Sequence, residues 1–249
     1  MCSSATMPAV SREKGDRVSK AGDVFDNPVT GERGVVRVGT EDSGGELLVS
    51  DLYVRPGGAV AGEHIHPVIH ESFTVVSGQI GFRLDGRESV AGPGKRLHVP
   101  PGMVHDWWNA GDEEAHVIVE IRPAQRFEEA IRNSFGLAQD GKTNAKGMPN
   151  LLQTALFARE FDDVLYFTKP PRSVQKVLFA ILAPIARLLG YRGSYPEYLR
   201  REPSERVEVE PWPEPLSGSG VSEHPQEEQG GDAAHHGSRS RRPGEPTVS

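Results

Sequence analysis

The feature that most restricts the fold of this chain is a series of short apolar runs, each too short for a helix and each closed by turn residues. They cover residues 34–38, 47–54, 72–76, 79–84, 96–99 and 116–121. Between them lie Asp-Ser-Gly-Gly, Arg-Pro-Gly-Gly, Ser-Gly, Asp-Gly and Gly-Pro-Gly. Glycine reaches positive φ and proline presets its own, so these clusters reverse the chain. Short strands at this spacing build a sandwich or a barrel. A βαβ fold is excluded, because no helical period separates the runs. Residues 21–123 are therefore expected to form a mainly β domain.

The period changes after residue 123. Phe127, Ala130, Ile131 and Phe135 recur at i, i+3, i+4 and i+8, one face of a helix. A polar loop leads to a second helical run, 151–161. Pro170-Pro171 then opens a third, 174–189, which ends at Gly190. Pro184 is expected to kink or break that run. Residues 124–201 thus read as a helical segment. A barrel over 21–123 does not call on the apolar faces of 151–190 for its own core. Their burial is expected from the barrel's outer wall, from each other, or from a second copy in a homodimer. A membrane-surface helix is the competing reading, weakened by the scarcity of charge on a polar face.

The ends read as unfolded. Only 36% of the 249 residues are hydrophobic, and there are 28 Gly and 20 Pro, so part of the chain lacks the apolar residues to offset ordering. Residues 1–20 and 202–249 carry that composition, and His235 and His236 in the latter are assigned no role. The first ten residues lack the pattern of a signal peptide. No apolar run approaches the roughly 20 residues of a spanning helix. The expectation is a cytoplasmic protein with membrane association disfavoured. A net charge of −7 argues against holding nucleic acid by phosphate neutralisation. The lone cysteine, Cys2, excludes a disulfide framework and a cysteine-based zinc site.

The histidines carry the chemistry. His64 and His66 are two residues apart, so in a strand they face the same side. Glu71, Phe73 and Val75 alternate onto one face of the next run, and the apolar partners mark it as the inner one. A buried carboxylate needs a strong partner, and a metal beside two imidazoles is one. His70 should face away from Glu71. His98 is a plain strand histidine or borders the cavity. Trp107 falls on the side of His105, where it either walls a pocket or packs in the core. His116 reads as a surface residue.

Residues 58–78 read Gly-x5-His-x-His-x4-Glu-x6-Gly, and residues 94–109 read Gly-x5-Pro-x-Gly-x2-His-x3-Asn. These stretches resemble the two signature motifs of the cupin superfamily at every fixed position. The resemblance implies a double-stranded β-helix, or jelly-roll barrel. It also implies one divalent metal ion held by His64, His66, Glu71 and His105. Three neutral imidazoles and one carboxylate leave such an ion open positions, as in non-haem iron oxygenases. Iron(II) is the favoured metal; manganese, nickel, zinc, cobalt or copper also suit the donors. The leading expectation is an oxygenase acting on a small organic substrate, with Glu71 also the catalytic carboxylate and Phe73, Trp107 and His98 lining the substrate pocket. A metal-dependent isomerase, epimerase or cyclase, and a non-catalytic binding protein, are the alternatives.

Overall fold

A computed structural model describes residues 19–212. The expectations for residues 1–18 and 213–249, including Cys2, His235 and His236, lie outside the described residues. In chain order the strands are β1 (Asp23–Asn27), β2 (Glu32–Val38), β3 (Leu48–Val54), β4 (His64–Ile65), β5 (His70–Ser77), β6 (Ile80–Leu84), β7 (Arg87–Ala91), β8 (Arg96–Val99), β9 (His105–Asn109) and β10 (Ala115–Arg122). There follow α1 (Phe127–Gln139), α2 (Leu151–Glu160), β11 (Tyr166–Phe167), α3 (Arg172–Leu188), α4 (Pro196–Leu199) and β12 (Glu205–Arg206).

All strand pairs are antiparallel. One sheet runs β12-β1-β2-β3-β10-β5-β8 and the other β11-β4-β9-β6-β7. Phe73, Val75 and Val117 of the first sheet share one core with Ile80, Phe82 and Trp107 of the second. This is the jelly roll, with the alternating apolar positions turned inward as period two requires. The corners use the expected residues. Gly78 has φ of 75°, and a Cβ there would lie 2.7 Å from the Ala115 Cα. Asn109 holds the β9–β10 turn, donating to the carbonyls of Val54 and Glu113 and accepting from the Gly111 amide.

Three expectations are corrected. Part of the helical segment joins the barrel's own core, since Ala130, Phe157, Phe161 and Val164 belong to one cluster with Phe73 and Val117, while α3 packs on α2 as expected. β11 continues the smaller sheet beyond β4. Second, α3 runs unbroken through Pro184. Pro184 lies on the exposed side, while Ala183 and Ala186 are locked against Leu156 of α2, so packing holds the helix across the missing hydrogen bond. Third, residues 202–212 lie on the barrel. β12 pairs with Asp23 and Val24, Arg37 donates to the Glu210 carbonyl, and its guanidinium lies over the Trp212 ring. No helix among the described residues is long and apolar enough to cross a membrane.

Candidate metal centre

Four side chains from three strands and one connecting loop converge inside the barrel. β4 pairs with β9 so that His64 stands directly opposite His105. His66 follows two residues after His64. Glu71, near the start of β5, lies between Val99 and Ile121 of the flanking strands. It shares its face with Phe73 and Val75, the parity that turns all three inward. One ligand atom from each of His64, His66, Glu71 and His105 lies within 4.8 Å of every other, and all four residues are buried.

The backbone fixes the tautomers. His64 Nδ1 faces the Gly62 carbonyl at 3.0 Å, His66 Nδ1 the Val164 carbonyl at 2.7 Å, and His105 Nδ1 the Met103 carbonyl at 3.1 Å. A carbonyl only accepts, so each Nδ1 carries the proton and each neutral ring turns an Nε2 lone pair inward. That is the outer support that metal-binding histidines require. His66 Nε2 is buried with no hydrogen-bond partner among the described residues. An orphaned lone pair among two further imidazoles and a carboxylate fits a divalent cation.

The electrostatics agree. Burial holds His64 well below the usual histidine pKa, and neighbouring His66 and His105 reinforce it. Burial also lowers His66, more than the Glu71 charge raises it. At His105 burial acts downward, but the hydrogen bond and charge of Glu71 outweigh it and raise the pKa. Neutral imidazoles at the first two positions are ready ligands.

The other expected residues divide. Phe73 and Trp107 lie inside the barrel but within its packed core, with ring centroids 6.3 Å apart. His98 does not border the interior. Val99 is the inward residue of β8, so His98 points out, where it stacks on His70 and meets the Ser72 hydroxyl. His70 faces outward as parity requires. His116 also points out of the barrel, yet it is buried: its Nε2 lies 2.7 Å from Asp51 and its ring stacks on Tyr53.

Two groups near the site carry no signal in the sequence motifs. One is the Val164 carbonyl, supplied by the turn after α2. The other is Glu32. It pairs with Val54, a core residue, and directly paired residues share a face, so Glu32 points inward. Its carboxyl accepts from the Thr30 hydroxyl. Burial raises its pKa to about 7, against the Thr30 hydrogen bond and with a further push from Glu71. Starting β2 at Glu32, two residues earlier than its apolar run, is the one step that places this carboxyl on the inner wall.

A family model described as a cupin domain matches residues 51–121. The polyketide synthase CurC of Streptomyces cyaneus is 36% identical over 70 residues, 28% of this chain and 45% of that protein. The chain thus spans less than half the length of this curated relative. Among solved structures, KdgF from Halomonas sp. is 19% identical, with a TM-score of 0.35 over 40% of this chain and 84% of that one. A putative sugar phosphate isomerase from Acidithiobacillus ferrooxidans is 22% identical, with a TM-score of 0.33 over 45% of this chain and 70% of that one.

Proposed function

This chain belongs to the cupin superfamily, and from that premise we propose that it is a metal-dependent enzyme acting on a small, largely apolar organic molecule, with oxygenation as the leading reaction. The observation that carries this reading is the buried cluster of His64, His66, Glu71 and His105, with its three inward-turned Nε2 atoms. His64, His66, Glu71 and His105 would hold a divalent metal, which would supply Lewis acidity and, as iron(II), the capacity to use dioxygen.

The chain's own residues shape what can approach. Leu84 pairs with His105, Phe127 packs its ring 5.6 Å from that of His66, and Met103 lies two residues before His105. All three are only partly buried apolar residues at the edge of the core. Such walls suit an aromatic or polyketide-like molecule carrying one or two metal-binding oxygens. The resemblance to the polyketide synthase CurC supports the same substrate class. Phe73, Phe82 and Trp107 fill the interior and limit water there.

Glu32 favours a second reading, metal-assisted isomerisation or cyclisation. That chemistry needs an interior group that gives and takes a proton near neutral pH, and an inward carboxyl with a pKa of about 7 is such a group.

Elemental analysis of protein purified without added metal, with oxygen uptake followed on phenolic and diketone substrates, separates the readings. Metal-dependent oxygen uptake supports oxygenation. Anaerobic turnover that needs both metal and Glu32 supports the second reading. Metal-bound protein that binds such molecules without turning them over overturns both.

A further inference from the structure

α3 buries one face and leaves the other bare. Gln175, Phe179, Ala183 and Ala186 pack inward, the last three against α2. On the opposite side Val174, Val177, Ile181, Ile185 and Leu188 follow one another at spacings of three or four residues, which makes a single stripe along the helix. All five are exposed, Val177 to 64%, Ile181 to 60% and Leu188 to 88%. Leu189, one residue beyond the helix, is exposed as well. Monomeric proteins seldom leave a stripe of this kind open to water.

Charge says what covers it. Between Asp163 and Glu197 the chain has five basic residues, Lys169, Arg172, Lys176, Arg187 and Arg192, and no acidic one, in a protein of net charge −7. Arg172 is paired with Asp162. Lys176 and Arg187 are exposed and make no ion pair with the described residues. Eleven residues apart, or about three turns, they share one side of the helix, between the apolar stripe and the face packed on α2. Two copies of α3 set antiparallel about a two-fold axis would place Lys176 of one copy on the same side as Arg187 of the other, with no carboxylate on either helix to answer them. A layer of anionic headgroups answers the whole set, and the apolar stripe enters the acyl boundary beneath it. The helix is about 25 Å long and bare along one side, a shape for lying on a surface.

We infer that α3 docks this protein on an anionic lipid surface, with Val174, Val177, Ile181, Ile185 and Leu188 inserted and Lys176 and Arg187 at headgroup level. The test is co-sedimentation of the full chain with vesicles of phosphatidylcholine alone, or with about one-third phosphatidylglycerol. The wild type is expected to pellet with the anionic vesicles and to be released by high salt. The double variant Lys176→Gln, Arg187→Gln should bind them roughly thirtyfold more weakly, at about 1 kcal/mol per basic residue. Ile181→Asp should bind neither vesicle. Both variants change exposed side chains, so unchanged melting temperature and metal content show that the fold is intact. Failure of the wild type to pellet with anionic vesicles overturns the inference. So does a wild-type dimer in sedimentation velocity that Ile181→Asp splits while no vesicle binding is seen, which would assign the face to a second copy. Equal binding to both vesicle types would remove the role given to Lys176 and Arg187.

Discussion

His105 Nε2 stands 3.1 Å from Glu71 Oε2 while the opposite nitrogen of the same ring faces the Met103 carbonyl. With the Nδ1 proton committed to that carbonyl, the neutral ring sets a lone pair against a carboxylate oxygen. Two acceptors at that distance need a positive charge between them, either a proton on Nε2, which the raised pKa of His105 favours, or a metal ion that takes its place. His66 Nε2, 3.7 Å from the same oxygen, adds a second lone pair. The three atoms describe a place for one shared cation.

Replacing His66 or His105 by Ala is therefore expected to lower metal content from about one ion per chain towards none. Metal that binds only the folded state at a hundredfold excess over its dissociation constant stabilises by about 2.7 kcal/mol. A chelator should then lower the melting temperature of the wild type and leave that of either variant unmoved. A chelator effect of the same size in the variants would place the metal elsewhere.

Glu32 sets a pH dependence of stability. Its carboxyl has a pKa near 4.5 in the unfolded chain and about 7 in the folded one, because burial disfavours the charge. Between those values the native state holds the extra proton, so stability falls as pH rises from about 4.5 to about 7 and is level above. The full effect is on the order of 3 kcal/mol. Glu32→Gln removes it. The variant should lose this part of the pH profile and be the more stable protein at pH 8 in urea unfolding. A variant whose profile matches the wild type would mean that Glu32 ionises freely.

The sequence shows the parts of this fold whose cause is local. The six apolar runs become β2, β3, β5, β6, β8 and β10, since alternation and turn glycines act over a few residues. β7 was not legible: Arg87, Glu88, Ser89 and Val90 are all exposed, so no buried face patterns it. β4 is two residues long and carries ligands in place of a hydrophobic signal. The four donors were legible because two motifs fix their spacing. The support of His66 was not, because it comes from a main-chain carbonyl 98 residues away, and a carbonyl leaves no mark on residue choice. His116 shows the limit of parity. It points outward as alternation demands, but residues 205–212 return along that side of the barrel.

The covered outer face makes its own prediction. Asp51 is buried between Arg37, whose Nε lies 2.6 Å away, and His116 at 2.7 Å. Removing the shared carboxylate leaves a buried guanidinium uncompensated. Asp51→Ala should cost about 3–5 kcal/mol in denaturant unfolding. It lies outside the barrel, so the metal content of the folded fraction should not change. A loss below about 1 kcal/mol, the range of a surface pair, would show that the cluster is solvated.

The last prediction joins the helices to the metal. Phe161 is fully buried, packed on Phe157 with Arg126 over its ring. Its carbonyl accepts from the amides of Val164 and Leu165, and this turn aims the Val164 carbonyl at His66 Nδ1. Phe161→Ala removes the ring that anchors the turn. The cavity should cost about 3–5 kcal/mol. Because an outer hydrogen bond to a metal-binding histidine is disturbed as well, metal affinity should fall by about 10–100-fold. Isothermal titration of the metal-free variant, held well below its melting temperature, measures the second effect apart from the first. A destabilised variant that keeps wild-type affinity would mean that the helical segment only covers the barrel. Weakened affinity in a folded protein would mean that residues 124–201 help to build the site.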